Sequence, residues 1–119
     1  MGIHNEFGKQ GEQLAVDFLI QTGYEILQRN YRCQKAEVDV IAKKSDVLAI
    51  VEVKSRHSDF LENIAETVNQ KKRQLLVMAA NQYVIDNDLD IEIRFDIITV
   101  LKRGEKYEVT HLKEAFYYF

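Results

Sequence analysis

The stretch that decides the fold runs from Ala36 to Lys54 and reads AEVDVIAKKSDVLAIVEVK. Two runs rich in Val and Ile, Ala36–Ala42 and Val47–Lys54, are separated by Lys43-Lys44-Ser45-Asp46, which predicts a β-hairpin. Both runs are apolar on both faces over most of their length. That pattern is typical of central strands that are covered on each side.

Charged residues interrupt these strands where burial is expected. Glu37 and Asp39 share one face of the first strand, and Glu52 and Lys54 share one face of the second. Charges at such positions are costly unless they are paired or bind a metal ion. The four residues are therefore the first candidates for a functional site.

The hairpin register determines whether these charges meet. With a two-residue turn at Ser45-Asp46, the opposed pairs are Lys44 with Val47, Asp39 with Glu52, and Glu37 with Lys54. Opposed side chains lie on one face with Cβ atoms roughly 5 Å apart, so the two acids repel unless a cation lies between them. The alternative is a Glu37–Lys54 salt bridge, with the other two acids at strand ends near solvent. All four charges on one face favour a site.

The remaining elements follow from hydrophobic periodicity. The predicted elements are a helix from Glu6 to Thr22, a strand from Tyr24 to Arg32, a helix from Glu62 to Asn87, and strands from Ile91 to Leu101 and Tyr107 to Leu112. The order of helix, three strands, helix and two strands predicts a single α/β domain over residues 1–119. We expect a mixed central sheet flanked by helices.

Two helical residues extend the candidate site. Lys72 lies on the apolar stripe of the second helix with Val68 and Leu76, so we expect its ammonium group to point toward the sheet. The alternative is a lysine that reaches water from the edge of the stripe. Glu12 lies beside the stripe of the first helix, where a solvated glutamate is the simpler interpretation.

Composition excludes several classes of protein. The chain has 119 residues, of which 46% are hydrophobic and 29% charged, which fits one folded domain and not a disordered chain. The net charge of −3 argues against binding nucleic acid by charge alone. We expect no membrane span, no signal peptide and, with the single Cys33, a cytoplasmic location.

Three further features carry simpler interpretations. Arg94 and Asp96 alternate with apolar residues and predict a structural ion pair. The acidic cluster at Asp86, Asp88, Asp90 and Glu92 predicts a solvated loop. The aromatic tail from Phe116 to Phe119 either packs on the sheet or joins a dimer interface.

The spacing of Asp39, Glu52 and Lys54 resembles the D…ExK motif of the PD-(D/E)xK nuclease superfamily. With a glutamate-bearing helix before the hairpin and a helix after it, the chain is similar to the αβββαβ restriction-endonuclease-like core, and in particular to archaeal Holliday junction resolvases. Over almost its full length it also resembles the YraN-like family of small bacterial proteins. The matching segments include Gly8–Glu12, Gly23-Tyr24, Glu37–Ile41, Val51–Arg56, Lys72, Ala80, Tyr83, Arg94–Asp96 and Ala115-Phe116. The family pattern usually has a glycine before the Glu, where this chain has Ala36. The difference removes no candidate ligand.

The resemblance implies roles for these residues. Asp39 and Glu52, with the Val53 carbonyl, would hold Mg²⁺ or Mn²⁺, and Glu12 would complete the ligand set directly or through water. Lys54 would orient the attacking water or offset the charge on the phosphorus. Glu37 has no settled role, and support of Lys54 is one interpretation. Candidates for phosphate contacts are Lys72, Arg56, Arg29, Arg32 and Lys35, although a solvated surface charge is the simpler interpretation of each arginine and of Lys35 taken alone.

Three functions follow as expectations. The first is a metal-dependent endonuclease that hydrolyses phosphodiester bonds in DNA, including branched or junction DNA, with no small-molecule cofactor. The second is a nucleic-acid-binding module on a nuclease-like fold that does not cut. The third is a structural or partner-binding protein, suggested by the aromatic tail. A junction resolvase needs two active sites, so the first function also leaves a homodimer open.

Overall fold

The computed structural model describes residues 3–57 and 68–117, with two helices and five strands. In chain order these are α1 (Ile3–Gln21), β1 (Glu25–Cys33), β2 (Ala36–Lys44), β3 (Val47–His57), α2 (Gln70–Asp86), β4 (Glu92–Arg103) and β5 (Lys106–Phe116). The strands form one sheet in the order β1-β2-β3-β4-β5, with β3 and β4 parallel and the other neighbours antiparallel. The mixed α/β fold and the element order are as the sequence predicts.

Each face of the sheet carries one helix and one core. On one face, Leu76, Ala79 and Ala80 of α2 join a buried cluster with side chains of β2, β3 and β4. On the other face, Ala15, Val16 and Leu19 of α1 join a second cluster with side chains of the same strands. Because strand side chains alternate between faces, two cores require strands that are apolar on both sides. The prediction that β2 and β3 lie centrally is confirmed.

The start of α2 differs from the prediction. The helix begins at Gln70, after Asn69, whose backbone is extended and whose side chain accepts a hydrogen bond from the Lys72 N–H at 2.9 Å. An Asn in this position accepts a hydrogen bond from a backbone N–H group that has no partner within the helix. It therefore favours the start of a helix here. The predicted helix through Val68 is therefore wrong, although Val68 is fully buried. Residues 62–67 of the predicted helix lie outside the described residues.

The hairpin turn has the predicted register. The β2–β3 ladder runs from Lys44 opposite Val47 to Val40 opposite Val51. It ends there, so the predicted opposition of Asp39 to Glu52 and of Glu37 to Lys54 does not form as ladder pairs. Beyond the last pair β2 also loses its regular alternation, because Val38 packs in the α2-side core while Val40 packs in the α1-side core.

The predicted ion pair between Arg94 and Asp96 is present. Buried Asp96 accepts hydrogen bonds from the Arg94 guanidinium and from the Glu114 N–H, and lies 2.7 Å from His111 Nε2. Burial alone would raise the pKa of Asp96, but the hydrogen bonds from His111 and Arg94 outweigh it and lower that pKa. The Glu114 contact lies where two extra residues of β5 bulge from the β4–β5 ladder. The network therefore stabilises an irregular part of the sheet.

The described part of the aromatic tail has one buried and one exposed residue. Phe116 is buried and stacks on Phe95 with ring centroids 5.1 Å apart, which confirms packing on the sheet for this residue. Tyr117 is 62% exposed, and Tyr118 and Phe119 lie outside the described residues. Neither helix in the described part of the chain is long and apolar enough to cross a membrane.

Candidate functional site

Asp39 and Glu52 lie one residue beyond the end of the β2–β3 ladder. The Asp39 carboxylate accepts a hydrogen bond from the Val53 N–H at 2.8 Å, so a side chain takes a donor that a regular ladder would give to a backbone carbonyl. Glu52 is the acid whose charge and hydrogen bonding act most strongly on the Asp39 carboxyl group. The end of the ladder therefore brings two acids close together, with Glu52 only 4% exposed.

The surroundings change the titration of Asp39. Burial, then the adjacent Glu52 carboxyl group and, more weakly, the charge of Glu12 raise the pKa of Asp39 to about 8. The hydrogen bond from Val53 acts in the opposite direction but is outweighed. Near neutral pH the Asp39 carboxyl group therefore holds its proton, which removes the repulsion from its acidic neighbour. A cation that replaced the proton would remove the same repulsion.

Two lysines contact the buried acid. Lys54 Nζ lies 3.5 Å from Glu52 Oε2, and Lys72 Nζ forms an ion pair with the same oxygen. The Lys54 side chain is 15% exposed and that of Lys72 is 41% exposed, so Lys54 is the more enclosed partner. The structure thus directs Lys72 to the sheet from the first turn of α2, as expected from its position in the sequence.

Glu12 and Glu37 lie near the pair but face arginines. Glu12 Oε1 is 3.7 Å from Arg29 Nη2, and Glu37 Oε2 accepts a hydrogen bond from Arg32 Nε at 2.8 Å. Glu37 thus pairs with its neighbour on β1, and support of Lys54 stays an expectation. Within residues 3–57 and 68–117, no group of three or more His, Cys, Asp or Glu side chains is arranged to hold one ion.

Asp39 borders two cavities. The larger is an open cleft of about 960 Å³ that also includes Glu12, Val53 and Ser55. The smaller, of about 360 Å³, includes Glu52 and lies against the first turns of α2. At least seven of the chain's 16 Lys and Arg residues line the two cavities: Lys9, Arg29, Arg32 and Arg56 in the cleft, and Lys35, Lys71 and Lys72 in the smaller one. The same cavities include four acids, Glu12, Glu37, Asp39 and Glu52, so basic and acidic side chains line them together.

Several lining residues were not among the sequence candidates. Phe7, Gly8 and Lys9 reach the cleft because α1 packs across the sheet at this end, and Lys71 reaches the smaller cavity beside Lys72. A signal was present for Lys9, since it lies one helical turn before Glu12 and Gln13. Gln13 in turn accepts a hydrogen bond from Arg29 at 2.9 Å.

The donor set fits a small hard cation. Asp39 and Glu52 supply carboxylate oxygens, and the open cleft gives water access to Asp39. Mg²⁺ is commonly held by one or two carboxylates and keeps several waters, so two acids suffice for it. The two residues present are thus compatible with Mg²⁺ or Mn²⁺.

These features define a class of protein. It is an α/β domain consistent with a restriction-endonuclease-like αβββαβ core, with two neighbouring acids and two lysines beside cavities of mixed charge. The family model described as "Uncharacterised protein family UPF0102" matches residues 11–100, and the chain belongs to this family. The match confirms the resemblance to the YraN-like family.

Relatives match over essentially the whole chain. A UPF0102 protein of Flavobacterium psychrophilum, FP2501, is 51% identical over 119 residues and is covered completely, as is this chain. A UPF0102 protein of Christiangramia forsetii is 48% identical with the same coverage. One from Alkaliphilus oremlandii is 38% identical over 117 residues, which are 96% of this chain and 100% of the relative.

Proposed function

We propose that this protein is a metal-dependent endonuclease that hydrolyses phosphodiester bonds in DNA. The observation that carries the proposal is the close approach of the Asp39 and Glu52 carboxyl groups, with Lys54 beside Glu52, at the edge of a cleft that four basic residues line. Burying two like-charged groups side by side lowers the stability of the folded protein. Such a pair is therefore expected where it serves a function. Such pairs with shifted pKa values cluster at functional sites.

Asp39 and Glu52 would hold Mg²⁺ or Mn²⁺, with the Val53 carbonyl as a further oxygen. When bound, the ion polarises a phosphate oxygen and lowers the pKa of a coordinated water. Lys54 is fixed near Glu52 and enclosed, so it is placed to hold the attacking water and to offset the charge that develops on the phosphate. Lys72 is more exposed and is suited to a neighbouring phosphate.

Substrate contacts would come from the basic residues of the cleft. Arg29, Arg32 and Arg56 line it, and arginine binds phosphate oxygens through two parallel N–H groups. Arg29 and Arg32 now face Glu12 and Glu37, so DNA binding would exchange those ion pairs for phosphate contacts. The similarity to PD-(D/E)xK nucleases and archaeal junction resolvases extends the proposal to branched or structured DNA and to a homodimer.

A cleavage assay tests the proposal. Purified protein is incubated with linear and four-way-branched DNA in Mg²⁺, in Mn²⁺ and in EDTA, beside Asp39→Asn, Glu52→Gln and the matched turn variant Asp46→Asn. We expect metal-dependent cleavage by the wild type and by Asp46→Asn, and a loss on the order of a hundredfold or more in the two site variants. The proposal fails if the wild type does not cut, or if the site variants cut equally well.

A second candidate is a nucleic-acid-binding module that does not cut. It is favoured by the two lysines that already neutralise Glu52, and by the lack of a third acid within ligand reach in the described residues. Titration calorimetry separates the two candidates. Heat with Mn²⁺ that is lost in Asp39→Asn supports the endonuclease, whereas DNA binding without any Mn²⁺ heat supports the module.

A further inference from the structure

Phe7 is an aromatic side chain in a cleft that is otherwise polar. Among the described residues that line the cleft, Phe7 is the only aromatic, and Val53 is the only other large apolar residue. Phe7 is half-buried, and its ring stacks on that of His57 at the end of β3, with centroids 5.2 Å apart and planes 30° apart. The proposed chemistry at Asp39 and Glu52 gives no reason for an aromatic ring at this place.

The surroundings of Phe7 match the two parts of a nucleotide. Lys9, Arg29, Arg32 and Arg56 line the same cleft and are suited to phosphate oxygens. A ring stacked on a second ring offers a flat, rigid surface, which is how proteins bind the bases of single strands without reading their sequence. Phosphate-binding and base-binding groups therefore line one cavity that reaches Asp39.

The cleft is large enough to hold a base. Phe7 and its neighbour Gly8 both line it, and its volume of about 960 Å³ lies at the upper end of the range for small-molecule sites. The cleft that Phe7 lines thus has room for a base.

We propose that the cleft binds an unpaired nucleotide, with its base stacked on the Phe7–His57 pair and its phosphate held by the cleft arginines. The inference rests on the proposed function and names its substrate class: DNA that is single-stranded or locally unpaired at the site. A base inside a continuous duplex is stacked on its neighbours and cannot meet the ring. Phe7 is then a specificity-determining residue and takes no part in the hydrolysis.

The alternative is that Phe7 and His57 only pack against one another. A merely structural ring would change stability when it is removed, but it would not report on the stacking of a bound base. The test therefore follows the base itself. A 20-nucleotide single strand with a central 2-aminopurine, and the same strand in a duplex, are titrated with protein in EDTA so that no cleavage occurs.

Matched variants complete the test. Phe7→Leu removes the aromatic ring, Phe7→Trp keeps one, and Phe18→Leu makes the same change elsewhere on α1. Gly8→Leu adds a bulky side chain at a second position of α1 that lines the cleft. Thermal melting of each variant establishes that it is folded under the conditions of the titration.

We expect the wild type, Phe7→Trp and Phe18→Leu to bind the single strand more tightly than the duplex and to change the 2-aminopurine fluorescence. Phe7→Leu and Gly8→Leu should weaken single-strand binding by roughly 5- to 100-fold, the range of one lost base stack, and remove the fluorescence change. The inference is overturned if folded Phe7→Leu binds and quenches like the wild type, or if duplex binds equally well.

The test separates this inference from the proposed function. If the wild type stacks the probe base through Phe7 but never cuts DNA, the inference stands and the endonuclease proposal fails. If the wild type cuts DNA through Asp39 and Glu52 while Phe7→Leu stacks the base normally, the endonuclease proposal stands and the inference fails.

Discussion

The carboxylate of Asp39 accepts a hydrogen bond from the backbone N–H of Val53 at 2.8 Å, at the point where β2 and β3 stop pairing. One side chain therefore satisfies a buried donor and also contacts the acid on the neighbouring strand. The first role needs only an acceptor oxygen, whereas the second creates repulsion when both acids are charged. Substitutions at this position can separate the two roles.

Replacing Asp39 by Asn should stabilise the metal-free protein in alkaline solution. An amide keeps an oxygen for the Val53 N–H and donates to Glu52, and it carries no charge. At pH 9 we expect the free energy of unfolding in EDTA to rise by about 1–3 kcal/mol. The same variant is expected to lose DNA cleavage, so stability would rise where function is lost. Asp39→Ala should be less stable than Asp39→Asn by about 1–3 kcal/mol, because the Val53 donor loses its partner. Urea denaturation of the three proteins measures both differences, and a wild type more stable than Asp39→Asn at pH 9 would contradict the account.

The pH dependence of stability follows from the same acid. Burial and the neighbouring Glu52 raise the pKa of Asp39 from 3.8 to about 8 in the native protein. Between these two pKa values the native state binds more protons at Asp39 than the unfolded state does, so stability falls as pH rises from about 4 to 8. Unfolding free energies in EDTA at fixed ionic strength should show this fall.

Asp39→Asn is the control for this pH profile. Asp96 acts in the opposite direction and in a different window, because its pKa is lowered and its stabilising effect is lost only as the pH falls below about 3.8. The Asn variant should therefore lose the decline between pH 4 and 8 and keep the acid-induced loss. A wild-type profile that rises between pH 5 and 8 would rule out a raised pKa at Asp39.

The part of the fold set by local pattern could be predicted from the sequence. The turn at Ser45-Asp46 and the ladder up to Val40 opposite Val51 follow from two apolar runs with a polar turn between them, and Ser45 has the positive φ of 53° that such a turn needs. The two-sided burial of β2 and β3 follows from their lack of alternation. These features depend only on residues that are neighbours in the chain.

Features that depend on which partner a polar side chain binds could not be predicted in this way. The ladder ends because Asp39 takes the Val53 donor, and Glu37 turns to Arg32 because β1 lies beside it. A strand-pairing pattern carries no information on either event, since each is a competition between a side chain and the backbone. The Phe7 and Lys9 positions in the cleft likewise depend on where α1 crosses the sheet.

The ammonium group of Lys72 should compete with a cation for Glu52. Lys72 contacts the same oxygen that the proposed ion would use, and its exposed side chain makes the contact weak. We expect Lys72→Met to bind Mn²⁺ roughly two- to tenfold more tightly than the wild type, and to bind DNA less tightly. Calorimetry with Mn²⁺ and fluorescence anisotropy with DNA measure the two effects.

Lys71→Met is the control, because it removes the same charge from the same cavity. It should weaken DNA binding by a similar amount and leave Mn²⁺ affinity close to that of the wild type. If both variants changed Mn²⁺ affinity equally, the effect would be one of overall charge and not of competition at Glu52.

Gly11 and Gly8 lie one turn apart in α1 and should respond oppositely to substitution by alanine. A Cβ on Gly11 would come within 1.9 Å of Ser55 Oγ and 3.2 Å of Ser55 Cβ, whereas a Cβ on Gly8 meets nothing within 4 Å. Alanine is favoured over glycine inside a helix by up to about 1 kcal/mol, so Gly8→Ala should stabilise the protein by about that amount. Gly11→Ala gains the same propensity but forces α1 away from β3, and we expect a net loss of about 1–3 kcal/mol.

Because Ser55 lines the cleft, Gly11→Ala should also lower DNA binding. Adding Ser55→Ala removes the closest contact and should recover part of the stability, a coupling that chemical denaturation of the single and double variants measures. Equal stability of Gly8→Ala and Gly11→Ala would show that this close approach does not fix α1 on the sheet.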